Sequence, residues 1–216
     1  MKIKADRLFG IPFSLCKIDP KSYNKEEVID NHKSNYLKNP NRNKWREDNL
    51  NIHHAYGDWD NPDFIKPDYS QLIKVYEEVI PKCLKGCGLV GDYKFSFEII
   101  NYNCMSDGGY MSAHQHIKQD FVGIHYIQFD SENHQPTSFF NEHPFANYQE
   151  DIFPHMKKLV NPNSLYTSCF NQQWHLDIEE DDYCIVPGFL KHEVPAQHRS
   201  SKLRMAIATN IEVWCQ

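Results

Sequence analysis

Asp92-Tyr93-Lys94-Phe95-Ser96-Phe97-Glu98-Ile99 is where the spacing of apolar residues changes from helical to alternating. Phe95, Phe97 and Ile99 project to one side and Lys94, Ser96 and Glu98 to the other, as successive side chains of a pleated strand must. The same period of two continues downstream. Tyr110, Ser112, His114 and His116 share one face, and residues 121–129 and 203–213 are rich in aromatic, aliphatic and β-branched side chains. Ser106-Asp107-Gly108-Gly109, residues 179–182 and Pro187-Gly188 carry turn chemistry, so short antiparallel connections are expected between these strands.

Upstream the period is 3.6. Asn24 is placed to cap a helix over residues 25–37. Asp68, after Pro67, is placed to cap one over 69–84, where Leu72, Val75, Tyr76, Val79 and Ile80 recur at helical spacing. The polar stretch 38–66 between them is expected to be irregular loop anchored by Trp45 and Trp59. These signals describe a mainly β chain with flanking N-terminal helices. It reads as a single domain, 1–216, in which a helical and irregular part, 1–90, packs on a β core, 91–216. Strands in this number closed against helices suggest a jelly roll of two sheets, and cupin-type barrels of this kind hold metals between their sheets. Residues 141–165, with Pro144, Pro154 and Pro162, are too long for a simple turn. Phe145, Tyr148 and Phe153 make them a substrate-side flap or a packed excursion.

A length of 216 residues suits one well-buried domain. The formal charge of −6 and the lack of any Lys/Arg-rich run argue against a nucleic-acid partner. Met1-Lys2-Ile3-Lys4-Ala5-Asp6 has no apolar signal region and no uncharged apolar run approaches membrane-spanning length, so the chain reads as soluble and cytoplasmic. Seven scattered cysteines suit reduced thiols, with Cys83 and Cys87 at a helix end.

The chemistry concentrates in histidines. His114 and His116, at i and i+2, can close on one ion from one strand face, and His192, within Val186-Pro187-Gly188-Phe189-Leu190-Lys191-His192-Glu193-Val194-Pro195, can complete the set from another strand. Imidazole favours a transition metal, although two exposed histidines on one strand face would look the same. Arg204 lies in Leu203-Arg204-Met205-Ala206-Ile207-Ala208-Thr209-Asn210. With Leu203, Met205 and Ile207 turned the other way, it would face the barrel interior, where Ala206 and Ala208 leave room. A buried guanidinium calls for a carboxylate, from a ligand or from the chain itself. Arg199, beside Ser200-Ser201, is the loop-borne rival. His125 is expected to be a packed core group, and His53, His54, His134, His143, His155, His175 and His198 to be solvated.

Taken in order, the His-x-His pair, Gly123-Ile124-His125-Tyr126-Ile127, Pro-Gly-x-Leu-x-His-x-Val-Pro and an arginine leading an apolar strand that ends in Asn resemble the Fe(II)/2-oxoglutarate-dependent oxygenases. Within them the chain is similar to the prolyl-hydroxylase-like branch, and especially to bacterial and marine-phage members. Leu8-Phe9-Gly10-Ile11-Pro12 resembles their amino-terminal strand, and Asn103 before Asp107-Gly108-Gly109 their Asn–Gly-Gly element. The resemblance implies a double-stranded β-helix, with His114 and His192 as Fe(II) ligands. It implies that Arg204 binds the distal carboxylate of 2-oxoglutarate, that the Tyr126 hydroxyl reaches the same carboxylate, and that Asn103 lies near the metal pocket. Oxygen and a substrate to be hydroxylated would be the other partners, with succinate and carbon dioxide as co-products. One departure stands out: His116 occupies the position of the family's acid. Either three imidazoles hold the metal, or Asp120 supplies the carboxylate; the i, i+2 spacing favours His116. A cupin-like three-histidine dioxygenase that does not use 2-oxoglutarate, or a non-catalytic metal- or ligand-binding jelly roll, are the rival readings. Neither the substrate nor the oligomeric state is written in the chain.

Overall fold

The structure, a computed structural model, describes residues 3–8, 10–41, 49–141 and 172–215. In chain order its elements are β1 (Ile3–Leu8), β2 (Ile11–Lys17), α1 (Lys25–Lys38), β3 (Leu50–His54), a 3-10 turn (Ala55–Gly57), α2 (Ser70–Gly86), β4 (Tyr93–His114), β5 (Phe121–Gln128), β6 (Ser138–Phe140), β7 (Gln173–His175), β8 (Asp182–Pro187), β9 (His192–Val194) and β10 (Arg204–Cys215). The strands run in the order β1-β2-β8-β5-β10-β4-β9-β6-β7, with β3 beside β4. Every pairing is antiparallel. The sheet curls because β4 serves both walls: its residues 93–105 pair with β10, and Met111 and His114 pair with β9. The fold is a double-stranded β-helix.

Ser106-Asp107-Gly108-Gly109 is not the turn its composition suggests. The strand runs through it as a bulge, opposite a register shift between Leu50 and Ile52 of β3. Gly108 has φ +70°, and a Cβ on Gly109 would lie 2.8 Å from both Met105 Cβ and Ser106 O. A bulge bends a strand, and here the bend carries β4 from one wall to the other.

The stretch 38–66 is also corrected, since it contains β3 and the 3-10 turn. Its strand had no alternating pattern to read: Asn51 has φ +47°, and Ile52, His53 and His54 are all buried. Pairing with Met105, Cys104 and Asn103 makes it a strand. Trp59 is 54% exposed and so is not buried in the core as an anchor, and Trp45 falls outside the described residues, as do 142–165 of the expected flap. Strands β1 and β2 extend the wall beside β8, so the first 90 residues supply strands as well as helices.

Both helices form where the spacing places them. Asn24 precedes α1, but its amide donates to Glu27 Oε2 at 3.0 Å instead of capping the backbone. Asp68 is not the N-cap of α2: that position falls to Tyr69, and Asp68 Oδ1 accepts from Ser70 N at 2.8 Å from one residue further out. Helix α2 buries Leu72, Tyr76, Val79, Ile80, Cys83 and Leu84 against the outer face of the larger wall. Ser14 Oγ donates to Cys83 O at 2.6 Å, and the Tyr76 and Tyr183 rings stack at 4.8 Å. On β5 a Cβ at Gly123 would fall 2.2 Å from Tyr183 Oη and 2.4 Å from Thr209 Oγ1, so only glycine fits. A second core fills part of the interior with Phe13, Val122, Ile124, Phe139 and Val186. The six described cysteines are free thiols. No helix among the described residues is long and apolar enough to cross a membrane.

Candidate metal centre and cavity

His114 is the last residue of β4, His192 is the first of β9, and the two pair directly across the ladder. His116 lies just past the strand end, so strand alternation alone does not aim it. The turn after β8 holds it instead: His116 N donates to Gly188 O at 2.8 Å, and Gln119 N donates to His116 O at 2.9 Å. Gly188 is required there, because a Cβ would meet Gln119 O at 2.2 Å and His116 O at 2.7 Å. The structure thus brings together the three histidines singled out from sequence. One ring nitrogen from each lies within 4.8 Å of the others.

Hydrogen bonds decide which nitrogens converge. His114 Nδ1 lies 2.9 Å from Ser112 O, and His192 Nδ1 lies 2.8 Å from Leu190 O. His116 Nδ1 lies 3.0 Å from Asn210 Oδ1. A carbonyl oxygen only accepts, so each Nδ1 carries the proton and each neutral ring keeps its lone pair on Nε2. Burial holds the His116 pKa below the ordinary value and that of His192 well below it; for His192 the neighbouring His114 adds to the effect. Three oriented imidazole donors of this kind suit iron, zinc, copper or nickel. Asp120 lies outside the cluster: it is exposed, and its Oδ2 accepts from Val213 N at 2.7 Å. Asn210, not Asp120, orients the His116 ring.

Arg204 opens β10 and is fully buried. Among the described residues it meets only neutral groups: Nε donates to Gln135 O at 3.2 Å, Nη1 to Asn103 Oδ1 at 3.2 Å and Nη2 to Thr137 Oγ1 at 3.4 Å. Its guanidinium lies 5.1 Å from the Tyr126 ring centre, and the Tyr126 hydroxyl donates to Thr137 Oγ1 at 2.8 Å. Burial lowers the arginine pKa while Tyr126 opposes that shift. Met205, Ile207 and Ile211 of the same strand turn outward to the helices, whereas Arg204, Ala206, Ala208 and Asn210 line a cavity of about 530 Å³. That cavity also takes in His114, His116, His192, Asn103 and Thr137. Arg199 is exposed.

Three histidines expected to be solvated are buried, each because a polar partner receives it. His53 Nε2 lies 3.2 Å from Asp58 Oδ2, His54 Nε2 meets Asn101 Nδ2, and His134 lies between Asp130 N and Lys202 O. His54 lines the cavity, and burial, then His53, pushes its pKa down to about 3. His125 is in the core as expected, hydrogen-bonded to Tyr76 at 2.9 Å. His175 and His198 are exposed, and His143 and His155 lie outside the described residues. Sequence reasoning missed Gln135, Thr137, Asn101 and His54 entirely, since none sits in a readable pattern. Asn210 had a signal, because it shares the period-two face of Arg204.

No protein-family model and no curated protein matches the sequence. Solved structures do match. HygX from Streptomyces hygroscopicus, with nickel, 2-oxoglutarate and hygromycin B bound, aligns over 93% of this chain and 82% of its own, at 9% identity and a TM-score of 0.50. The chain shares its fold. A Trichoplax adhaerens prolyl hydroxylase, in complex with a hypoxia inducible factor peptide fragment, aligns over 92% of this chain and 83% of its own at 14% identity and a TM-score of 0.49. A Burkholderia pseudomallei oxidoreductase of the 2OG-Fe(II) oxygenase family aligns over 69% of this chain at 8% identity and a TM-score of 0.44. The chain spans 61% of that protein's length.

Proposed function

We propose that this protein is an iron- and 2-oxoglutarate-dependent oxygenase that hydroxylates a substrate C–H bond. One observation carries the reading: a buried arginine without a carboxylate among the described residues shares a cavity with three converging imidazole nitrogens. In this reading His114, His116 and His192 hold Fe(II). Arg204 takes the distal carboxylate of 2-oxoglutarate through its planar fork, with Tyr126, Thr137 and Asn103 around it. Iron held there would supply the oxidation chemistry with O2 as oxidant, one oxygen atom ending in succinate, formed with carbon dioxide from 2-oxoglutarate, and the other in the hydroxylated substrate. The chain's own work is to bind and orient. Three neutral ligands would leave the full metal charge facing an anionic co-substrate. Asp120 is not needed as a ligand. The resemblance to bacterial and marine-phage prolyl-hydroxylase-like members belongs to the same reading.

The donor set itself favours a second reading, a three-histidine dioxygenase that does not use 2-oxoglutarate. Anaerobic calorimetric titration of the iron-loaded chain with 2-oxoglutarate, followed by succinate measurement in air, separates the two. Binding and iron-dependent succinate formation are expected. Iron binding without any 2-oxoglutarate binding would leave the second reading standing.

A further inference from the structure

The cavity has two chemically different ends. Among its described lining residues the one formal cation is Arg204 and the one acid is Glu98. Glu98 pairs in register with Asn210, whose amide holds His116, and directly opposed residues of an antiparallel pair project to the same face. The carboxylate therefore stands on the metal side of the sheet. The same lining includes Tyr56 and Trp59, which are 57% and 54% exposed with ring centres 5.2 Å apart.

Two large rings left in solvent need a reason, and their mounting supplies one. Tyr56 N donates to Asn101 Oδ1 at 3.1 Å, and Asp58 N closes the turn on Ala55 O at 2.8 Å. Buried Asp58 is held in turn by His53, by Asn39 Nδ2 at 3.3 Å and by Asn61 Nδ2 at 3.1 Å. The aromatic pair is thus presented by a braced turn. Lys66 lines an adjoining cavity that shares Trp59, Ile99 and Asn101 with this one, and is not among the residues that line this one.

We propose that the substrate carries a cationic group, an ammonium or guanidinium, seated between Glu98 and the Tyr56–Trp59 rings. This deepens the oxygenase reading and rests on it for the word substrate. Once 2-oxoglutarate occupies Arg204, no described cation in this cavity remains to receive an anionic substrate. A carboxylate with π faces beside it attracts a cation instead.

The test uses three molecules of one shape: choline, its neutral isostere 3,3-dimethylbutan-1-ol, and anionic 3,3-dimethylbutanoate. Each is titrated calorimetrically, without oxygen, into the full chain loaded with iron and 2-oxoglutarate. Choline should bind roughly two- to thirty-fold tighter than the alcohol and the acid should bind weakest. Glu98→Gln and Trp59→Ala should each shrink the preference for choline. Equal binding of choline and alcohol, tighter binding of the acid, absence of choline binding, or an unchanged preference in Glu98→Gln would overturn the proposal. Iron and 2-oxoglutarate titrations of the same wild-type sample read the oxygenase assignment separately. If those two fail, the choline comparison is repeated on the unloaded chain, where the same outcomes apply to the cation site.

Discussion

His125 and Tyr126 are neighbours on β5, both are buried, and they face opposite sides of the same wall. His125 meets Tyr76 of α2, beside stacked rings and apolar side chains that fill the outer face. Tyr126 meets Arg204 and Thr137 on the inner face, where small and polar residues leave a cavity. The difference shows that burial alone does not mark a functional residue. His125 is surrounded by rings and apolar side chains of the core, whereas Tyr126 touches Arg204 and Thr137, which line the cavity.

The largest expected effect tests this division directly. Replacing His114 or His192 with Ala should weaken metal binding by more than about a hundred-fold, beyond the usual loss of an outer-sphere partner. His125→Ala should leave the metal bound while lowering the melting temperature. Metal content and thermal melts of the three variants, side by side, give the answer; a metal-free His125→Ala that remains folded would erase the contrast. His116→Asp and Asp120→Ala should both retain metal, and loss of metal only in Asp120→Ala would move the third ligand there.

Next in size, Arg204→Ala should keep iron and lose roughly 30- to several-thousand-fold in 2-oxoglutarate affinity, the equivalent of about 2–5 kcal/mol for an unpaired buried charge. Arg204→Lys keeps the charge without the fork and should fall between the two. Equal affinities by calorimetry would return Arg204 to a purely structural role.

Asn210→Ala should cost about 10- to 100-fold in metal affinity, since the His116 ring loses the acceptor that sets its tautomer. Chelator competition on folded protein measures this, and an unchanged constant would show that packing alone orients His116. On the outer face, Gly123→Ala forces a Cβ into Tyr183 and Thr209 and should destabilise by about 1–3 kcal/mol in denaturant titration.

A last effect, on stability and not on the site, is acid sensitivity. Burial, helped by the charge of Lys25, lowers the His125 pKa from 6.5 to about 3 in the folded chain. The unfolded chain therefore takes the proton first. The contribution is neutral above about pH 6.5, and stability is lost as pH falls from there toward 3. His125→Asn should show a shallower decline by about one proton across that window, whatever its stability at neutral pH. An unchanged slope would assign the acid sensitivity to other groups.

Much of this was legible in the chain. Period two from Phe95 onward and period 3.6 from Leu72 to Ile80 each reflect a local rule linking sequence to side-chain direction, and β4, β5, β10 and α2 followed from them, while the His-x-His spacing picked out histidines that do come together. Arg204 was readable as inward for the same reason, being one step out of phase with Met205 and Ile207. Tertiary contacts decided the rest. Strand β3 exists because β4 offers it a ladder, and Ser106-Asp107-Gly108-Gly109 became a bulge because β4 had to reach both walls. His53, His54 and His134 went inside because Asp58, Asn101 and the backbone around Asp130 and Lys202 wait for them there. His116 is aimed by Gly188 and Asn210, which lie 72 and 94 residues away in the chain. A polar side chain's fate depends on which partner it meets at long range, and no local period records that.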